Sequence, residues 1–310
     1  TFLILMLTGV FNLHSQSITT TVNNGNLILE DIPTIPQTIK DDLKRYQNVR
    51  SGSFRSFTDT GDSIYISTRF GNVSQLHVVD QPGGARKQIT FFDEPVGSMS
   101  RQPDGTLIAF TMDVGGSEHA QLLLLNPENG SSTMLSDGNS RHGSPLWDKT
   151  GEHIAFMSNR RNGASNDVWT MPIDNPNQAE MVLESPDGTW WGPIDWSNDG
   201  KHLLIQNYIS ITNSKVYLVD LETKDKTLIL GNLAEPSVNS GLAFDASNTG
   251  VFFTTDTFAE FNQLAHKNLV TGEVTIISQD INWDVDGFAI SSDGKRAAFK
   301  VNENGFSALY

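Results

Sequence analysis

A turn sequence recurs six times along the chain, with glycine at its centre in five copies, and each copy is followed by a short apolar run. Neighbouring copies lie 44 to 49 residues apart. A regular period of this size is typical of repeat proteins, in which each unit buries its apolar surface against the next unit. The residues at the turn centres are Gly61, Gly105, Gly151, Gly200, Asn248 and Gly294. Asparagine tolerates the left-handed backbone of a tight turn better than most residues, so the fifth copy fits the same turn.

Each repeat alternates short strand-forming runs with clusters of turn-forming residues. In the third repeat an apolar run at 154–157 follows the turn, and a second run follows at 167–172. Short runs bounded by Gly, Asn, Asp and Pro indicate consecutive β-hairpins. Three such strands, with one more from the segment before the turn, give the four strands of a propeller blade. The predicted fold class is therefore all-β, a β-propeller of four-stranded blades, with about five and a half blades in these residues.

The first 50 residues precede the repeats and contain two different segments. Residues 1–17 include an apolar stretch that suits a signal peptide and is too short to span a bilayer. We therefore expect an exported protein, periplasmic or extracellular, whose start is truncated because Thr1 stands first; a buried first strand is the alternative. Residues 18–50 form an N-terminal segment with a short helix predicted at 36–46. The incomplete propeller spans 51–310.

Composition and charge exclude several classes of function. The formal net charge of −15 disfavours binding to nucleic acid, because proteins of that class carry basic patches. The chain has no cysteine, so disulfides, a thiolate nucleophile and cysteine-ligated zinc are excluded. We find neither a zinc-binding His-Glu-x-x-His motif nor a glycine-rich phosphate loop, so the sequence predicts no metal and no cofactor. It also predicts no membrane span.

The sixth repeat reaches only its second apolar run before Tyr310. A propeller closes its ring, because an unpaired blade exposes apolar surface and unsatisfied backbone groups. We therefore expect these residues to be part of a longer chain whose complete ring has seven or eight blades.

Residues 32–97 carry a more specific pattern than the repeats do. Its elements are Tyr46, Arg50, the Ser-Thr-Arg-Phe-Gly hairpin at 67–71, the Gln-Leu-His strand at 75–77, the Pro-Gly-Gly-x-Arg turn at 82–86 and the strand at 88–92. This block resembles the start of the propeller in exported serine peptidases of the prolyl oligopeptidase family. One position departs from that pattern, since Ile89 stands where the family has Leu. The resemblance extends over residues 30–310 through the more general repeat units.

The resemblance implies a propeller that covers a C-terminal α/β-hydrolase domain and admits short peptides through its central channel. The partners it implies are a peptide substrate and the protein's own C-terminal hydrolase domain. The family's catalytic Ser, Asp and His lie in that domain, which we expect to be absent from this chain, so no catalytic residue carries over. The closest match to a Gly-x-Ser-x-Gly nucleophile elbow, at 115–119, lacks the last glycine. No Glu-Glu dipeptide matches the amine-binding pair of the family's dipeptidyl-peptidase branch.

The repeats contain five candidate substrate-binding residues. Arg160 and Arg161 lie in a hairpin tip of the third repeat, where guanidinium groups bind a peptide carboxylate by paired hydrogen bonds. Trp190 and Trp191 lie between two repeats and offer rings for stacking, although we expect at least one ring in the core. His142 also lies between two repeats, on one face of the predicted propeller. Solvated loops and core packing are the structural alternatives.

Two other classes of function stay open. Periplasmic TolB-like propellers have the same repeat units and act as protein-interaction or ligand-binding scaffolds. A lyase or sugar-processing propeller would need a cluster of His, Arg and metal ligands on one face, whereas the seven histidines here are scattered. The block at 32–97 favours the peptidase propeller, whose function would be to gate and position the substrate.

Overall fold

The computed structural model describes residues 17–291 and 293–310, and the chain divides into two compact units. The smaller unit contains the residues up to Arg50 together with Gly115–Ser117, and the larger unit contains 51–114 and 118–310. The predicted signal peptide, apart from Ser17, lies outside the described residues.

The smaller unit consists of one hairpin and one helix. Strands β1 (Thr19–Val22) and β2 (Leu27–Glu30) pair antiparallel. Helix α1 (Gln37–Gln47) confirms the helix predicted at 36–46. Its last turn carries Lys44 and Arg45, whose positive charges are favourable near the negative end of the helix dipole.

The larger unit is a series of antiparallel sheets formed in chain order. Blade 1 contains β3 (Ser53–Phe57), β4 (Ile64–Thr68), β5 (Gln75–Val79) and β6 (Lys87–Gln88). Blade 2 contains β7 (Met99–Arg101), β8 (Ile108–Met112), β9 (Gln121–Leu125) and β10 (Ser132–Met134). Blade 3 contains β11 (His142–Trp147), β12 (His153–Ser158), β13 (Asp167–Pro172) and β14 (Glu180–Leu183).

The last three blades follow the same order. Blade 4 contains β15 (Trp190–Trp196), β16 (His202–Ser210), β17 (Asn213–Asp220) and β18 (Lys226–Leu230). Blade 5 contains β19 (Asn239–Phe244), β20 (Gly250–Thr255), β21 (Gln263–Asn268) and β22 (Val274–Ile276). Blade 6 contains β23 (Val285–Ile290), β24 (Ala297–Glu303) and β25 (Phe306–Leu309).

These sheets confirm the predicted all-β propeller. Five blades have four strands and the sixth has three, so six blades are present where the sequence indicated about five and a half. As predicted, the segment before each turn supplies the first strand of the blade.

Among the described residues, five buried apolar clusters join the blades, one cluster for each neighbouring pair. Between blades 3 and 4, for example, Ala155 and Val168 pack with Trp191, Trp196 and Leu203. Because each blade buries its faces against its neighbours, the hydrophobic free energy of the fold depends on the stacking of blades.

The repeated turns show why glycine recurs at their centres. Four of the turn glycines have a positive φ, and Asn248 has a φ of 60° in the same region, as its place in the pattern predicted. The second repeat differs, because the positive φ belongs to Asp104 and not to Gly105. At Gly105 a Cβ atom would lie 2.3 Å from Gln102 Oε1, so a larger residue would displace this side chain from its hydrogen bond with the backbone N–H of Leu107.

Two faces of the propeller follow from this antiparallel order. The turns between first and second strands and between third and fourth strands lie at one end of the strands, which we call the turn face. The loops between second and third strands and the loops between blades lie at the other end, which we call the loop face.

Candidate functional site

The structure brings all five predicted residues to the loop face of blades 3 and 4. His142 begins β11, and Trp190 and Trp191 begin β15, so these three residues follow loops between blades. Arg160 and Arg161 lie in the loop between β12 and β13. The five residues therefore lie at the same ends of neighbouring strands.

Asp137 connects two of these residues. Its Oδ1 atom lies 3.1 Å from His142 Nε2, and its Oδ2 atom lies 3.6 Å from Arg160 Nε. Burial raises the pKa of Asp137, but hydrogen bonds from Ser140, Asn139 and His142 outweigh this effect. The pKa of the Asp137 carboxyl is therefore held well below its ordinary value of 3.8, and the group is ionised at neutral pH.

His142 is a buried side chain with one polar contact. It is 2% exposed, its ring packs against Phe156 with centroids 5.8 Å apart, and its Nδ1 atom has no hydrogen-bond partner within the described residues. Burial lowers the pKa of His142 below its ordinary 6.5, although Asp137 opposes the shift. His142 is therefore a neutral member of the Asp137 cluster at pH 7.

The two arginines differ in their surroundings. Arg161 binds both carboxylate oxygens of Asp167, at 2.8 and 3.0 Å, and its Nη1 atom lies 3.0 Å from Glu184. Asp167 is fully buried, and its hydrogen bond raises the pKa of Arg161. Arg160 lies over the Trp169 ring, 5.1 Å from its centroid. Arg160 is the better placed of the two to bind a peptide carboxylate, because its contact with Asp137 is longer than the contacts of Arg161 with Asp167. Binding of a carboxylate stays a prediction for both arginines.

The two tryptophans also separate into different environments. Trp191 is 2% exposed, packs against Tyr217 and donates a hydrogen bond from Nε1 to Asp187 Oδ1 at 3.2 Å. One ring therefore lies in the core, as expected. Trp190 is partly exposed and covers Gly192, where a Cβ atom would lie 2.4 Å from the ring. Stacking on a ligand stays a prediction, for which Trp190 has the more accessible ring.

Sequence reasoning missed a central cavity at the turn face. Residues of blades 2 to 6 line this single cavity of about 640 Å³, so it lies where the first strands of the blades converge. The charged residues that line it are Arg101, Asp104, Lys149, Asp195 and Asp293. The sequence indicates some of these residues only when each repeat position is compared across all six copies, because a charge is unusual at those positions.

Two ion pairs between blades lie at this cavity. Lys149 Nζ of blade 3 lies 2.5 Å from Asp195 Oδ1 of blade 4. Arg101 Nη1 of blade 2 lies 3.5 Å from Asp59 Oδ1 of blade 1. Cationic side chains of blades 2 and 3 therefore face the same cavity as the carboxylate of blade 4.

The loop face also exposes large apolar side chains. Exposed side chains on the loops of this face are Phe70, Phe91, Ile211, Leu233, Phe258 and Trp283. On the turn face, similarly exposed large apolar side chains include Val270 in a turn of blade 5 and Phe57 at the end of β3. Concentrated exposed apolar surface marks a site of interaction with another protein surface.

Two further features are absent from the described residues. Across 17–291 and 293–310, no group of three or more His, Cys, Asp or Glu side chains is arranged to hold a metal ion. Within the same residues, no helix has the length and apolar character needed to cross a membrane.

Consecutive antiparallel sheets around a shared cavity define this chain as a β-propeller protein. The sequence model of the prolyl oligopeptidase N-terminal beta-propeller domain matches residues 42–271. The chain therefore belongs to this family of propeller domains. Among curated proteins, none matches the sequence.

Two solved structures show the same fold. A prolyl endopeptidase, from work on inter-domain dynamics in catalysis and specificity, has a TM-score of 0.67 at 13% identity over 95% of this chain. TolB from Acinetobacter baumannii has a TM-score of 0.55 at 13% identity over 94% of this chain. The chain spans about half the length of the endopeptidase (50%) and 71% of TolB. At this identity the two structures show the fold alone.

Proposed function

We propose that this chain is the non-catalytic propeller of an exported serine peptidase, and that it gates and positions short peptide substrates. The observation that carries the proposal is the family match over residues 42–271. The catalytic serine would belong to an α/β-hydrolase domain of the same protein. The apolar stretch at 1–17 supports export to the periplasm or the exterior.

The loop face is the surface that we assign to the hydrolase domain. Leu233 and Phe258 are 78% and 57% exposed, and they lie on loops next to each other in blades 4 and 5. Covering such side chains removes apolar area from water at about 25 cal/mol per Å². The turn face exposes fewer large apolar side chains, so it would remain open to solvent and to entering peptides.

The test begins with the coding sequence on both sides of these residues. We expect it to encode a Gly-x-Ser-x-Gly elbow followed by Asp and His, and the complete protein should cleave short peptides. Replacement of the elbow serine by alanine should abolish cleavage. A coding sequence without an elbow would contradict the proposal.

A second test uses the propeller itself. In the complete protein, Leu233→Asp and Phe258→Asp should lower kcat/KM for a short peptide at least tenfold, because each places a charge in the domain interface. Val270→Asp is the matched control on the turn face, since Val270 is also 78% exposed. Equal effects of all three substitutions would show that the loop face is not the domain interface.

A binding scaffold is the second candidate function. The structural similarity to TolB favours it, because the match covers 71% of that chain. A complete protein that closes its ring without a hydrolase domain would support the scaffold.

A further inference from the structure

Comparison of the six repeats separates residues that every blade needs from residues that only one blade has. Five positions before the turn centre, the repeats have Ser56, Ser100, Leu146, Asp195, Ala243 and Ala289. Four positions before it, they have Phe57, Arg101, Trp147, Trp196, Phe244 and Ile290. Asp195 and Arg101 are thus the only charged residues at their positions. The blade fold does not require them, yet both line the central cavity.

Lys149 is the third unusual charge. Two positions before the turn centre, the repeats have Asp59, Pro103, Lys149, Asn198, Ala246 and Ser292, so Lys149 is the only cation there. Its partner Asp195 is fixed, because Oδ1 contacts Lys149 Nζ and Oδ2 accepts a hydrogen bond of 2.9 Å from the backbone N–H of Phe244. The Asp195 side chain is 12% exposed, whereas that of Lys149 is 40% exposed. Lys149 is therefore the accessible member of the pair.

The donors and acceptors of these groups favour an anionic ligand. An ammonium group has three N–H donors, and Asp195 occupies one of those of Lys149. A guanidinium has five donors, and Arg101 Nη1 donates to the carbonyls of Gln102 and Gly105, at 2.8 and 3.2 Å. Both oxygens of Asp195, by contrast, already have donors.

Asp104 and Asp293 also line the cavity, and Asp293 Oδ1 accepts hydrogen bonds from the Ser291 hydroxyl and the Lys295 backbone N–H. Two of the three lining carboxylates are thus already hydrogen-bonded, whereas Lys149 and Arg101 keep N–H donors for the carboxylate of a ligand.

We propose that the central cavity binds the C-terminal carboxylate of a short peptide through Arg101 and Lys149. The inference deepens the proposed function and rests on it for the choice of a peptide as the ligand. A volume of about 640 Å³ lies within the usual range of about 300–1,000 Å³ for small-ligand sites. Charge-assisted hydrogen bonds from a guanidinium and an ammonium are the strong contacts for such a group. Bound there, a peptide would enter the propeller with its carboxyl end held at the turn face.

The experiment measures binding of trialanine to the complete protein by isothermal titration calorimetry, with the elbow serine replaced by alanine so that the peptide is not cleaved. C-terminal amidation should weaken binding at least tenfold, whereas N-terminal acetylation should leave it unchanged. Lys149→Gln and Arg101→Gln should each weaken binding about tenfold, while Lys149→Arg retains the charge and should retain binding. Asp195→Asn should strengthen binding severalfold, because it removes the internal competitor for Lys149. Lys201→Gln is the matched control, since Lys201 lies on the turn face of blade 4 outside the cavity lining.

Lys149→Gln should weaken the binding of trialanine, and Asp195→Asn should strengthen it. If the ion pair only supported the structure, both variants would lose it and both would change the affinity in the same direction. Equal affinities for trialanine and its amide would overturn the inference, as would an absence of binding or an acetate affinity equal to that of the peptide. Peptide cleavage by the complete protein is measured separately. The carboxylate site and the peptidase function can therefore fail independently.

Discussion

Truncation of Trp191 tests the separation of the two adjacent tryptophans into core and surface. Trp191 is 2% exposed and lies in the cluster between blades 3 and 4. Its side chain buries about 200 Å², which at about 25 cal/mol per Å² corresponds to about 5 kcal/mol. Neighbouring side chains relax part of the way into the space that is left, so Trp191→Ala should lower the free energy of unfolding by about 4 kcal/mol. Trp190 is partly exposed, and Trp190→Ala should cost at most about 1.5 kcal/mol.

The assay is equilibrium unfolding in urea, followed by far-ultraviolet circular dichroism. If the slope of free energy against urea is the same for all variants, the shift in midpoint reports the change in stability. Trp191→Phe is the control for ring packing, because it keeps an aromatic ring and loses the hydrogen bond to Asp187. Equal midpoints for Trp190→Ala and Trp191→Ala would refute the assignment of Trp191 to the core.

Three further predictions concern stability. Burial lowers the pKa of His142 below 6.5, so on acidification the unfolded chain binds more protons than the folded chain does. The stabilising contribution of neutral His142 should therefore be fully present above pH 6.5 and be lost as the pH falls. Thermal denaturation should show a shallower loss of stability in His142→Gln. Asn248→Ala should be about 1–2 kcal/mol less stable than Asn248→Gly in urea, because alanine disfavours a φ of 60°. Gly241→Ala should lower the free energy of unfolding by about 1–3 kcal/mol, since its Cβ would lie 2.8 Å from Ile194 Cδ1. Gly71→Ala is the control, because open space surrounds Gly71. Equal urea midpoints for the two variants would contradict the packing argument.

The sequence predicted those parts of the fold that depend on local chemistry. The turns and their flanking apolar runs specify hairpins, because backbone conformation and side-chain alternation act over a few residues. The same reasoning predicted α1 within one residue at each end. It also identified Asn248 as a substitute for glycine, and the φ of 60° there has the same physical cause.

The candidate site was less accessible to sequence reasoning because it depends on contacts between distant residues. Arg161 and Asp167 are only six positions apart, but their pairing depends on how the loop after β12 closes. Asp195 and Lys149 are 46 positions apart and meet because neighbouring blades pack together. The apolar loop face was equally hidden, since its exposed side chains belong to loops of several different blades.

The bonds between blades explain how the cavity lining can vary while the ring is maintained. Trp147 Nε1 donates to the carbonyl of Ser100 at 3.0 Å, and Trp196 Nε1 donates to the carbonyl of Leu146 at 3.2 Å. Both acceptors are backbone atoms, so the bonds do not depend on the side chain at the accepting position. Asp195 occupies that same repeat position in blade 4. A charged side chain at this position therefore does not prevent the backbone carbonyl from accepting a bond between blades. The charge of Asp195 is not needed for that bond, and ligand binding gives a reason for its presence.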